Sequence, residues 1–119
     1  MQMARNGSIT FFSEVAAYKD SLGASIVAML NAGLEGFLRT LAVELNPILV
    51  NVVSPGIVDT PIWDHMRQEK KTAYFSEVTG SLPVKRVGTP DGLAQAALAL
   101  IENGFISATV FHVDGGARV

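Results

Sequence analysis

Leu49-Val50-Asn51-Val52-Val53-Ser54-Pro55-Gly56-Ile57-Val58-Asp59-Thr60-Pro61 is the stretch whose reading decides the fold. Val50, Val52 and Val53 form a short β-branched apolar run, and Ser54-Pro55-Gly56 closes it with residues that cannot continue a sheet ladder. Thr60 before Pro61 is a helix start, because a threonine oxygen accepts an orphan N–H and proline loses nothing at the first helical position. The order is strand, loop, helix, and in open α/β sheets ligands lie at such loops.

Working outward, Ile9-Thr10-Phe11-Phe12-Ser13 reads as a strand opened by Gly7-Ser8. Residues 1–6 are too short for an element of their own, and 18–23 read as a loop. From 24 to 45, Ile26, Leu30, Leu34, Phe37, Leu38, Leu41 and Leu45 recur at three- and four-residue steps, which predicts a long helix with these residues on its buried face. Ala28, Ala32 and Gly36 form a small-residue stripe that lets another backbone approach. Glu35 and Arg39 read as an i,i+4 pair on the wet side. Asn46-Pro47 ends the helix.

Residues 61–71 read as a helix with a solvated charged end, and 74–87 as irregular. Thr89-Pro90-Asp91 repeats the cap signature, Leu93, Ala97, Leu100 and Ile101 give the next helix its buried face, and Gly104 stops it. Thr109 to Val113 is the last strand, turned by Asp114-Gly115-Gly116. Strands separated by helices of this length run parallel through right-handed crossovers. Their ends at Ser13, Ser54 and Asp114 therefore share one edge. The fold class is α/β, three strands with crossover helices, and residues 1–119 form a single domain.

Of the 119 residues, 49% are hydrophobic and 17% charged, which excludes disorder and leaves apolar surface that expects a partner. A net charge of −2 with no basic run gives no footprint for nucleic acid or an anionic membrane. The absence of cysteine excludes disulfides and thiolate metal sites and fits a reducing cytoplasm. His65 and His112 have no metal-site spacing and read as a surface and a strand histidine. No uninterrupted apolar run reaches the ~18 residues of a membrane helix, and no leader is expected at the N-terminus.

These motifs together resemble the C-terminal half of the short-chain dehydrogenases/reductases. The organising stretch is similar to that family's Arg-Val-Asn strand and Pro-Gly loop, with Leu49 where arginine is common. Gly7 to Ser13 resembles the fifth strand, Ala32 to Arg39 the body of the active-site helix, and Val113-Asp114-Gly115-Gly116 the closing signature. The resemblance implies half of a Rossmann-type doubly wound sheet, in a partial domain without the glycine-rich turn that holds pyrophosphate. It implies NAD or NADP as cofactor, with Pro55 and Gly56 shaping the nicotinamide wall, the Val58 backbone on the carboxamide and Thr60 on carboxamide or phosphate.

The family's Tyr-x-x-x-Lys is missing. The tyrosine position falls on Val27 and the lysine position on Asn31. Valine has no proton to give, and asparagine has no charge to stabilise a tyrosinate. The serine position falls on Glu14, with Ser13 one step away. Candidate catalytic residues are therefore Ser13, Glu14, a displaced Tyr18, and Asn31 as a ribose contact. Two readings stay open: an NAD(P)-dependent oxidoreductase of carbonyls or alcohols with a divergent site, and a non-catalytic binding or structural protein, or remnant, of the same fold. Under the first, residues 62–82 cover the substrate, and Trp63, Met66, Tyr74 and Phe75 make that cover apolar. Either is expected to associate, as a homo-oligomer or with another chain, through the helix at 24–45 and the open edge of the first strand.

Overall fold

The computed structural model describes residues 6–119, so the reading of the first six residues lies almost wholly outside the described region. Three strands, β1 (Ser8–Phe12), β2 (Leu49–Pro55) and β3 (Val110–Val113), alternate with helices α1 (Ser25–Glu44), α2 (Gln68–Ser81) and α3 (Pro90–Glu102). Single 3₁₀ turns occupy Val15–Ala17 and Pro61–Trp63. The sheet is parallel in the order β1-β2-β3, with Phe12 opposite Val53 and Ser54 opposite His112. The three C-terminal strand ends share one edge, as the crossovers require.

β2 is the middle strand, and its residues 50–54 are all buried. Alternation along the strands puts Ile9, Phe11, Val50, Val52 and Val110 on one face, where Leu34, Leu38 and Leu41 of α1 pack on them. α3 packs against all three strands, with Ala96 and Leu100 buried. Asn51 is fully buried and satisfied: its Nδ2 donates to the Ile106 carbonyl at 2.8 Å, and its Oδ1 accepts from the Thr109 N–H at 3.2 Å. A buried amide with both ends paired fixes the entry into β3 at little cost.

Four expectations change. α2 spans Gln68–Ser81, whereas the sequence suggests a helix over 61–71 followed by irregular chain; Thr60 opens only one 3₁₀ turn and makes no side-chain cap. No residue of α2 is buried, so the helix has no apolar period to read. α1 buries only part of its stripe: Leu34, Leu38, Leu41 and Leu45 pack into the core, while Ile26, Leu30 and Phe37 are exposed. Glu35, expected on the wet side, is 5% exposed. Finally, α3 ends on Asn103 in extended conformation, so Gly104 is not its left-handed stop. At Thr89 the cap forms as expected, its hydroxyl accepting from the Gly92 N–H.

α1 is long and apolar enough to cross a membrane by length and composition; the sequence expectation considered only uninterrupted apolar runs. Here it is the helix that covers one face of the sheet. Within the Ala28, Ala32, Gly36 stripe, no described residue closes on Gly36, since a Cβ added there meets no atom within 4 Å.

Candidate functional site

The loop after β2 is pinned by a close backbone crossing. A Cβ at Gly56 would lie 2.8 Å from the Asp114 Cα and 2.9 Å from its carbonyl oxygen. Only glycine lets the β2 loop and the β3 turn approach in this way. That turn has its own requirement, with Gly115 and Gly116 at φ +63° and +83°. Asp114 ties it together: burial pushes its carboxyl up, but hydrogen bonds from Arg118 and the Gly116 N–H outweigh this and hold it below the ordinary carboxylate value.

Beyond Gly56, a single bridge pairs Val58 with Gly88. The Gly88 N–H donates to Ile57 O and the Asp59 N–H to Gly88 O, so the Val58 peptide faces the other way. Its carbonyl accepts from the Trp63 indole at 2.8 Å. No acceptor among the described residues takes its N–H. Lys71 fastens the next segment, with Nζ 3.1 Å from Asp59 Oδ1 and 3.6 Å from Asp64 Oδ1, so the charged end read as solvated holds the loop.

On α1, Val27, Asn31 and Glu35 follow at four-residue steps and share one face. Asn31 Nδ2 donates to the Val27 carbonyl at 2.9 Å, within its own helix. Glu35 accepts from Ser13 Oγ at 2.7 Å and from the Tyr18 hydroxyl. The Tyr18 ring stands edge-on to His112 with centroids 4.7 Å apart. Burial, then the hydrogen bond to Glu35, push the Tyr18 hydroxyl up to about 12. Tyr18 is therefore a neutral donor at physiological pH, held by a carboxylate, the opposite of a tyrosine made acidic by a cation. Burial also holds His112 below its ordinary value, helped by Arg118. His112 Nδ1 and the Oγ of its cross-strand partner Ser54 are buried without a hydrogen-bond partner among the described residues.

The candidate residues thus divide. Ser13 and Tyr18 converge on Glu35, whereas Glu14 is exposed on a cleft of about 640 Å³ that Val27, Ile57, Trp63 and Tyr74 also line. Pro55, Gly56, Val58 and Thr60 stay together in the loop. A second cleft of about 600 Å³ lies between that loop and the start of α3. His65 is exposed beside the Ile62 carbonyl, and no metal-binding cluster occurs among the described residues. Sequence reasoning missed Glu35, whose signal was a lone carboxylate between Leu34 and Leu38 and eight residues past Val27. It also missed the Trp63 bond to Val58, which has no sequence signal.

Tested against a nicotinamide cofactor, the two sides differ. The loop fits a carboxamide, because Val58 offers a free N–H at the sheet edge. The α1 positions do not fit the proton-transfer role, since Val27 carries no hydroxyl and Asn31 no charge; the Asn31 Nδ2 bonds the Val27 carbonyl, which leaves its Oδ1 for a ribose hydroxyl.

The family model described as enoyl-(acyl carrier protein) reductase matches residues 1–118. The chain is 36% identical to the short-chain reductase protein NovJ of Streptomyces niveus over 98% of this chain and 47% of that protein. It is 31% identical to carbonyl reductase family member 4 of Xenopus laevis over 100% of this chain and 48% of the other. A small-chain dehydrogenase crystallised with NADPH superposes with a TM-score of 0.93 at 35% identity, covering 98% of this chain and 53% of that one. The chain spans about half the length of the curated relatives it matches. The family match over residues 1–118, relatives at least 31% identical along almost the whole chain and the close superposition show that this chain belongs to the short-chain dehydrogenase/reductase family.

Proposed function

We propose that this chain forms the nicotinamide-facing half of an NAD(P)-dependent oxidoreductase acting on a small carbonyl or alcohol. The observation that carries the reading is the β2 loop, where the Val58 N–H has no acceptor among the described residues and Val58 lines the cleft between the loop and the start of α3, while its neighbour Ile57 also lines the cleft against α1. A bound nicotinamide supplies hydride transfer. The chain's own residues set where its amide lies: Gly56 brings the loop onto Asp114, and Trp63 fixes the Val58 peptide plane. Pro55 and Thr60 complete the wall. The site is divergent, because neither Val27 nor Asn31 can move a proton and Ser13 and Tyr18 are both spent on Glu35.

That last observation favours a second reading, a non-catalytic binding protein on the same fold. Titrating the purified chain with NADH and NADPH by nicotinamide fluorescence, with light scattering on the same sample, separates the two. Saturable binding followed by oxidation of bound cofactor on adding a ketone supports the oxidoreductase. Binding without oxidation supports the second reading, and a folded sample that binds neither nucleotide refutes the first.

The protein is further proposed to work in the cytoplasm as a homo-oligomer, with no nucleic-acid or membrane partner. The exposed apolar side chains of α1 and the edge position of β1 support association.

A further inference from the structure

The cleft between α1, the β2 loop and α2 has walls that restrict what enters it. Its interior is lined by Val15, Val27, Ile57, Trp63, Val78 and Leu82. At Val27, where family members carry a tyrosine, the wall is hydrocarbon. One side is aromatic: Trp63 and Tyr74, which both line the cleft, stand 5.2 Å apart, centroid to centroid. The rim carries Glu14, Asp20 and Glu77 against Lys19 alone, so its charge is negative. Tyr74 lines the same cleft as a hydroxyl donor, and burial, then Glu77 and Glu14, keep it protonated.

We propose that this cleft takes an uncharged, flat apolar molecule with a single hydrogen-bond acceptor, such as an aryl ketone or its alcohol, and disfavours carriers that bear phosphate. An aromatic wall and a hydrocarbon floor suit a planar ring. Three rim carboxylates meet the phosphates of a carrier thioester with like charge, and few protein groups are present to offset it. The inference rests on the oxidoreductase reading for the identity of the cleft, but its test uses no cofactor, so the two fail separately.

Trp63 is the only tryptophan of the chain and reports on the cleft directly. The purified chain is titrated with 2-acetylnaphthalene and, separately, with 2-naphthoyl-coenzyme A, following Trp63 emission at two salt concentrations. The expected result is saturable quenching by the ketone, with the coenzyme A ester about tenfold weaker at low salt and the gap closing at high salt. Glu14 and Glu77 are both exposed, so the double variant Glu14→Gln, Glu77→Gln tests the rim without burying a new group, and it narrows the gap severalfold. Ketone quenching that does not saturate overturns the proposal. So does an ester that binds as tightly as the ketone at low salt, or a preference unchanged in the double variant.

Discussion

Replacing Gly56 with alanine adds a single methyl group at the point where the β2 loop crosses the β3 turn. The new Cβ meets Asp114 Cα at 2.8 Å, its carbonyl oxygen at 2.9 Å and its Cβ at 3.1 Å. Ordinary carbon–carbon contacts sit near 3.5–4.0 Å, so one backbone must move by roughly 0.7 Å or more. Neither is free to move: the Gly56 N–H donates to Val113 O at 3.1 Å, and Asp114 is held by Arg118 at 2.7 Å. Overpacking of this kind costs about 1–3 kcal/mol, which lowers Tm by about 4–12 °C at roughly 4 °C per kcal/mol for a domain of this size. The control is Gly36→Ala, where no neighbour lies within 4 Å on a helix interior. Alanine there gains about 0.5–1 kcal/mol and raises Tm by a few degrees. Differential scanning calorimetry of the two variants against the parent is the assay. A Gly56→Ala protein within about 2 °C of the parent, half the smallest shift expected, refutes the crossing as described.

Glu35→Gln removes the carboxylate charge that helps hold the Tyr18 proton, so the phenol titrates closer to its ordinary value of 10.0, read by tyrosinate absorbance; an unmoved titration means that burial alone sets it. In the parent, the folded-state value lies above the unfolded one, so this stabilisation is complete below pH 10 and is lost as pH rises toward 12. With Tyr18 47% exposed, solvent screening reduces the contribution to about 1 kcal/mol, checked by urea melts at about pH 8 and about pH 11, on either side of the unfolded value. Trp63→Phe keeps an aromatic ring beside Tyr74 but leaves the Val58 carbonyl without its donor, costing about 1 kcal/mol in a denaturant titration; an unchanged midpoint argues against that bond. Thr89→Ala removes the α3 cap at a cost of about 1 kcal/mol, read in the same titration, and Thr89→Ser restores most of it.

The legible parts of the fold were those with a period or a punctuation mark. β2 announced itself through Val50, Val52 and Val53 and the Ser54-Pro55-Gly56 stop, and α3 through Thr89-Pro90. The bounds of α2 are not legible because no residue of it is fully buried: what ties it to the chain before it is the Lys71 to Asp59 pair and the packing of Tyr74 and Phe75 on Trp63, which leave no apolar period. The exposed start of α1 was misread for the converse reason: Ile26 and Leu30 keep the apolar spacing, but no described residue covers them, and spacing cannot say which end of a helix overhangs its sheet. In the site, the loop residues were readable because Gly56 and Val58 act through backbone, which short motifs encode. Of the Glu35 cluster only the carboxylate between Leu34 and Leu38 leaves a mark in the sequence; its partners Ser13 and Tyr18 do not, since they come to it from a strand end and a loop.

That cluster explains how the chain can lose the Tyr-x-x-x-Lys pattern without losing its fold. Val27, Asn31 and Glu35 lie on one stripe of α1, facing successive levels from the cleft wall at Val27 to the buried layer at Glu35. At the first two levels this chain carries a methyl-bearing side chain and an amide that donates to its own helix in place of a hydroxyl and an ammonium, and neither leaves a buried charge unpaired. At the third level it carries a buried carboxylate, which is tolerable only with donors on both oxygens. Ser13 supplies one and Tyr18 the other. The two hydroxyl residues that the sequence offers for proton transfer are thus consumed in stabilising Glu35. On the oxidoreductase reading, a gain of reactivity therefore requires more than the double change Val27→Tyr, Asn31→Lys: the serine position is held by Glu14, and the neighbouring Ser13 donates its hydroxyl to Glu35, so a reactive variant has to place a hydroxyl at position 14 together with the changes at 27 and 31.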